Sequence, residues 1–267
     1  MCFITEVYRG TWVVAYHEVL RFLRDRAHVL ASLTFPLLFL AIFGAGFSNI
    51  VGAMAGKVNL IAFMYPGIIA MAVLTSALSA GISVVSDREV GFLKEVLVAP
   101  LSRTGIVLGK ALGASGVALL QALLLLVIAP LVGVPLDTGL VLTLVPVVLI
   151  LALSLSGLGI LIASFITSQQ GYQLLLQLLV FPMVFLAGVF FPVNSVPVWM
   201  AILSKVNPVT YGVDAIRQII LGSAPAHAGL GVTALGHTMT LTEEIAIIGV
   251  LGIILLAGAI WAFGRQE

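Results

Sequence analysis

Six stretches of this chain run for about 20 residues or more with no ionised side chain near their centres: about Ala27–Phe47, Leu60–Val85, Ile106–Val132, Leu140–Ile166, Tyr172–Phe191 and Ile245–Phe263. An α-helix of roughly 20 residues rises about 30 Å, the thickness of a bilayer's hydrocarbon core. A helix is also the form that satisfies its own backbone groups there. Charged residues make up only 9% of the chain, against about 25% in a soluble domain. The pattern predicts an all-α membrane protein with six transmembrane helices, occupying 1–267 as a single domain. Pro36, Pro66, Pro130, Pro146 and Pro182 fall in or near the spans, where membrane helices tolerate them.

The basic residues set the orientation. With the N-terminus in the cytosol, nine Lys and Arg lie inside: Arg9, Arg21, Arg24, Arg26, Arg88, Lys94, Arg103, Lys110 and Arg265. Three lie outside, Lys57, Lys205 and Arg217. Both termini are therefore expected in the cytosol. The segment before the first span carries several charges and lacks a cleavable-signal pattern. Residues 3–26 form an amphipathic helical pattern, with His17, Glu18, Arg21, Arg24 and Asp25 on one arc and Trp12, Tyr16, Phe22 and Leu23 among those covering the rest. It suits a helix in the membrane interface or one packed on a cytosolic partner. The single cysteine, Cys2, allows no intrachain disulfide.

Two connections are long enough to hold structure. On the cytosolic side, Ser86 and Glu89 have capping-box spacing, Phe92, Leu93, Val96 and Leu97 form an apolar stripe, and Pro100 stops the helix. A short amphipathic helix is expected over 86–100. On the outer side, 192–222 holds two apolar stretches, Val196–Leu203 and Thr210–Leu221, divided by Asn207-Pro208. Each is too short to cross, so two short re-entrant helices are expected before the last span. Asp214 and Arg217 are spaced to pair on the second.

The run Arg88-Glu89-Val90-Gly91-Phe92-Leu93-Lys94-Glu95-Val96-Leu97-Val98-Ala99-Pro100-Leu101-Ser102-Arg103, with the later Leu108-Gly109-Lys110, resembles the cytosolic signature of ABC-2 permeases. Gly188, Phe191-Pro192, Pro197-Val198-Trp199, Asn207-Pro208-Val209-Thr210-Tyr211 and Asp214-Ala215-Ile216-Arg217 resemble that family's closing signature. The two motifs stand in the family's order. Relatives in it export drugs, lipo-oligosaccharides and polysaccharides. The resemblance implies that 86–100 is a coupling helix docking on a separate ATPase, with Arg88, Glu89, Gly91, Phe92, Lys94, Glu95, Leu97 and Pro100 at the contact. It implies an N-terminal interfacial helix beside that ATPase. It also implies an inner-membrane location, two ATPase copies binding the ATP and Mg, and two permease chains with spans one, two and five near the substrate path.

The residues agree with an external energy source. Gly105-Ile106-Val107-Leu108-Gly109-Lys110-Ala111 lacks the glycine spacing and the Ser/Thr of a phosphate-binding loop. The span centres lack the ionisable groups of ion-coupled carriers and the charged clusters a membrane-embedded enzyme needs. Gly113-Ala114-Ser115-Gly116 has no base at its depth to make Ser115 a nucleophile, and reads as a close-packing stretch. The histidines show no metal spacing. Candidate path or dimer-seam residues are uncharged. Thr75, Ser79 and Ser83 share one face of span two, and Gln170, Gln173 and Gln177 share one face of span five. Either set could instead bond within the bundle; a hydroxyl can bond its own helix. No basic stripe suits nucleic acid. No aromatic ladder for sugar stacking stands out, which leans toward a hydrophobic drug or lipid over a polysaccharide.

Overall fold

The stretch from residue 60 onward is apolar on every side, and the helix it forms is the one most enclosed by others. The computed structural model describes residues 2–54, 60–89, 103–134, 136–191, 193–222, 231–234 and 237–265. Nine α-helices occur among them: α1 Cys2–Arg24, α2 Arg26–Met54, α3 Leu60–Glu89, α4 Arg103–Val127, α5 Thr138–Ala163, α6 Gln169–Leu186, α7 Val198–Val206, α8 Pro208–Leu221 and α9 Leu241–Gly264. Each of the six apolar stretches forms a helix. Thr233–Ala234 and His237–Thr238 add a two-stranded antiparallel ribbon that the helical reading did not anticipate.

Among the described residues four helices are long and apolar enough to cross a membrane: Phe63–Glu89, Thr104–Leu131, Thr138–Ala163 and Leu241–Gly264. A fifth arises if Arg9–Arg24 and Val29–Ile42, bent by 70° to one another, count as one broken span.

α3 packs against α2, α4, α5, α6 and α8, and α9 against α5 and α8. Lipid tails are as apolar as leucine, so burial alone does not drive such packing. Small residues and inter-helix hydrogen bonds do. Ala70, Ala72, Ala77 and Ala80 are buried along α3. At Gly81 and Gly159 the backbones leave room for Tyr172 of α6. Its hydroxyl donates to the Leu78 carbonyl at 2.8 Å and the Gly159 carbonyl at 3.1 Å.

The predicted close-packing stretch of α4 is used by α1. A Cβ at Gly113 would stand 2.6 Å from Glu18 Cβ, and one at Gly109 2.7 Å from Val14 Cβ. Thr11 donates to the Gly105 carbonyl at 3.3 Å. These contacts advance together along both chains, so α1 runs beside α4 in the same direction. Ser115 donates to its own helix, to the Ala111 carbonyl at 2.7 Å.

The capping box expected at Ser86 is absent. A cap requires non-helical backbone, and α3 continues helical through Ser86 to Glu89, because no glycine or proline interrupts Asp87-Arg88-Glu89. The same Ser/Thr-x-x-Glu pattern operates at α9 instead, where the Glu243 carboxylate accepts from the Thr240 N–H at 2.8 Å.

Candidate functional site

α3 presents Thr75, Ser79 and Ser83 toward a cavity of about 500 Å³. α1 contributes Glu18 and Arg21 to its wall, and α4 contributes Lys110 and Gln121. Lys110 is buried and ties three helices together. Its ammonium stands 2.6 Å from Asp87 Oδ2 and 3.4 Å from Glu18 Oε1. It also donates to Ser83 Oγ at 2.6 Å, and Ser83 in turn donates to Glu18. Burying an ammonium is costly unless it is paired and hydrogen-bonded. Here three oxygens meet it.

A second cavity of about 380 Å³ adjoins the first, and both are lined by Phe35, Met71 and Thr75. Its wall is aromatic. Phe35 and Phe39 of α2, Phe190, and Phe185 and Phe181 of α6 form a continuous belt. Successive ring centroids lie 6.2, 5.2, 4.9 and 4.5 Å apart, the range in which aromatic pairs attract. Lys110 lies toward the cytosolic end of α4 under the predicted orientation, and Phe181 and Phe185 toward the outer end of α6. The lumen thus changes from polar to aromatic from one side to the other.

The predicted path residues divide on this geometry. Thr75 and Ser79 line the first cavity, yet both donate their hydroxyl hydrogens to their own helix. Thr75 bonds the Met71 carbonyl at 3.1 Å and the Ala72 carbonyl at 3.0 Å, and Ser79 bonds the Ser76 carbonyl. Gln177 lines the aromatic compartment. Gln173, one turn nearer the start of α6, is exposed and lines neither cavity. The aromatic belt went unseen in sequence because its rings come from two segments far apart in the chain, 35–39 and 181–190. The two pairs four residues apart, Phe35/Phe39 and Phe181/Phe185, were the signal available. Gln121 was overlooked too, although it lies well inside the third span.

At the end of α3 expected to face the cytosol, Arg88 donates to the Ile166 carbonyl at 3.3 Å, and Glu89 accepts from the Gln169 N–H at 2.9 Å. The end of α3 therefore holds the turn between α5 and α6. Gly91, Phe92, Lys94, Glu95, Leu97 and Pro100 lie outside the described residues, as does the rest of the predicted coupling helix beyond Glu89.

The outer motif is a clamp. Asn207 Oδ1 accepts from the Val209 N–H at 3.1 Å and caps α8, while its Nδ2 donates to the Met183 carbonyl at 2.7 Å. Pro208 occupies the first helical position, where its missing N–H leaves no bond unmade. Tyr211 donates to the Lys205 carbonyl at 2.7 Å. Asp214 and Arg217 lie 3.9 Å apart and are both buried. Arg217 also donates to the Gly188 carbonyl at 2.7 Å and sits 4.3 Å from the centre of the Phe63 ring. Asp214 accepts from the Val232 N–H at 2.6 Å. Glu244, in the first turn of α9, is wholly buried beside them. Rather than lying on the outer surface, α8 is enclosed by protein along most of its length.

A chain of helices, several of them long and apolar enough to cross a membrane, with two adjoining cavities between them, has the architecture of a membrane protein. The model of the ABC-2 type transporter family matches residues 9–221. The chain belongs to this family, which comprises the membrane permease subunits of ABC transporters and implies an ABC ATPase partner. Nodulation protein J of Rhizobium meliloti is 30% identical over 211 residues, covering 78% of this chain and 80% of its own. A protein of Porphyra purpurea named as the transport permease ycf38 is 28% identical over 199 residues, 73% of this chain and 68% of its own. An Escherichia coli protein named as the multidrug ABC transporter permease YbhR is 35% identical over 164 residues, 61% of this chain but 44% of its own.

Proposed function

We propose that this chain is the permease half of an ATP-driven exporter that moves an amphipathic, drug-like or lipid-like molecule out of the cytoplasm. The observation that carries the reading is the pair of adjoining cavities, polar at the cytosolic end and aromatic beyond Thr75. A molecule with a polar head and an apolar body finds both environments in order. An inner-leaflet amphiphile, head toward the cytosol and tail toward the midplane, meets them in its own orientation.

The remaining parts follow the same reading. Six helices cross the inner membrane, α2 to α6 and α9, with both termini cytosolic. α1 follows the cytosolic half of α4, its exposed Trp12, Tyr16 and Leu23 suited to the lipid headgroup region. Residues 86–100 dock on an ATPase subunit, which binds ATP and Mg. Two permease copies and two ATPase copies form the working unit. Exposed Leu174, Leu178 and Phe181 on α6 supply the apolar face for the second copy. The Phe belt also suits a lipo-oligosaccharide, since sugar faces stack on aromatic rings, and this is the second reading.

The test is to reconstitute the permease with its ATPase in vesicles and follow export of amphiphiles. Thr75→Trp fills the junction of the two compartments. It should abolish export while the assembled complex keeps its basal ATPase activity. Undiminished export by Thr75→Trp would show that the lumen is not the route.

A further inference from the structure

Among the groups that line the polar compartment, the Gln121 amide is one that the packing does not use. Gln121 is only 4% exposed and lines the cavity, yet no described residue hydrogen-bonds its amide. A buried amide without a partner costs several kcal/mol in an apolar setting, and it persists here because it faces the lumen. α3 and α4 run antiparallel, with Ser83 at Lys110 and Tyr65 at Leu125. Gln121 therefore stands about 16 Å deeper along α4 than Lys110, at 1.5 Å per residue. That depth is near Met71, where the two compartments meet.

The surrounding groups fix what this amide can read. The hydrogens of Thr75 and Ser79 are committed to backbone carbonyls, so their oxygens offer only lone pairs to the cavity. Lys110, at the cytosolic end of the compartment, is already saturated by Asp87, Glu18 and Ser83. Arg21, Ser76 and Gln169 also line the compartment and bring donors of their own. Gln121 adds both an N–H donor and a carbonyl acceptor where the two compartments meet.

We infer that Gln121 is a specificity-determining residue that hydrogen-bonds the head of the transported amphiphile, and that this head both donates and accepts hydrogen bonds, as a sugar-like or amide-like group does. The inference rests on the cavity being the transport route. A hydroxylated head would donate to Thr75, Ser79 and the Gln121 carbonyl while accepting from the Gln121 N–H. The apolar tail would lie along the Phe belt.

The experiment uses the full permease–ATPase complex in vesicles with two probes of equal chain length, an alkyl glucoside and an alkyl trimethylammonium. The second has no donor or acceptor on its head. Gln121→Leu should raise KM for glucoside-stimulated ATPase activity about tenfold, the worth of one lost hydrogen bond near the upper end of the usual range, with kcat unchanged. Its KM for the trimethylammonium probe should stay within about twofold of wild type. Gln121→Asn, which keeps the amide on a shorter arm, should recover part of the glucoside response. If Gln121→Leu fails to assemble, Gln121→Met provides the same loss of hydrogen bonding on an unbranched side chain. Equal loss for both probes, no change for either, or wild-type stimulation by the trimethylammonium probe alone would each overturn the assignment. Thr75→Trp run alongside separates the two failures. If it blocks both probes while Gln121→Leu alters neither, the route stands and the head-group role falls. If it blocks neither, the route itself is wrong.

Discussion

Glu89, the last residue of α3, accepts a hydrogen bond from the backbone N–H of Gln169, the first residue of α6, at 2.9 Å. One carboxylate thereby ends the helix that leads toward the proposed ATPase contact and caps the helix that carries Gln177 and the outer half of the Phe belt. A displacement at the cytosolic end of α3 would reach the lumen wall through a single bond.

Glu89→Ala should therefore lose about 1 kcal/mol of stability, the usual worth of a helix cap, and the complex should hydrolyse ATP without exporting. Glu89→Gln keeps an acceptor oxygen and should retain most of the coupling. Paired measurements of ATPase stimulation and export check this. Full coupling in the Glu89→Ala, Glu95→Ala double variant would remove the carboxylate from the mechanism.

Lys110 offers a sharper stability test. Lys110→Met would leave Asp87 and Glu18 facing each other across the space the ammonium filled. Removing one partner of a fully buried pair costs about 3–5 kcal/mol. With Asp87 and Glu18 side chains 24% and 19% exposed, water offsets part of this, and about 2 kcal/mol is expected. Asp87→Asn added to Lys110→Met should restore part of the loss. Thermal unfolding of the four members of this cycle in detergent gives the coupling energy, and simple additivity would mean the contact is not stabilising.

At Tyr172 the expected magnitudes differ by mechanism. Tyr172→Phe removes a hydroxyl that donates to helix carbonyls already bonded within their own helices, so about 1 kcal/mol is lost. Gly81→Ala places a methyl where that hydroxyl stands, forcing α3 and α6 apart, and should cost more, about 2–3 kcal/mol as an overpacking change. A Gly81→Ala protein as stable as wild type would mean that α6 is not held against α3 in this way.

These cases mark what the sequence could and could not convey. Helix positions were legible because apolar runs of this length have few alternatives. The Asn207-Pro208 break was legible because an Asn cap followed by proline at the first helical position is a local signal. Ser86 misled because a capping pattern is only permissive. Ser86 was carried inside a longer helix, and Thr240 with Glu243, the same pattern, became the real cap. Glu244 was not singled out because its burial depends on α8 folding back beside α9, which no local pattern records. The Phe belt likewise needed two distant segments to be brought together. Segments 90–102 and 223–230, the first holding most of the predicted ATPase contact, lie outside the described residues, so the coupling residues beyond Glu89 rest on motif resemblance.

Topology is testable with the chain's own chemistry. After Cys2→Ser, single cysteines at Lys205 and Arg265, both on exposed positions, should be labelled from opposite sides, Lys205→Cys from outside and Arg265→Cys from the cytosol. Ser204 is a poor choice despite its neighbour, being buried and bonded to the Met200 carbonyl. Labelling of both sites from the same side would overturn the orientation with α7 and α8 re-entering from the outer face.

The two glutamines of α6 should separate by function, although one sequence pattern placed them on a common face. Gln177 lines the aromatic compartment with Phe181 and Phe185, whereas Gln173 is exposed one turn away and touches neither cavity. A glutamine amide turned to lipid would leave its polar groups unpaired at several kcal/mol, so Gln173 needs water or a second protein copy against it. Gln177→Leu should change the rate or the preference among amphiphiles, because it converts the one large polar wall group of that compartment to an apolar one. Gln173→Leu should leave the preference unchanged. A cysteine at Gln173 should crosslink to its counterpart in the assembled complex, as expected if α6 forms the seam between two permease chains. Unchanged transport by Gln177→Leu across several substrates would exclude it from the path, and a Gln173→Cys protein that crosslinks only to a lipid-borne probe would place that face against the bilayer.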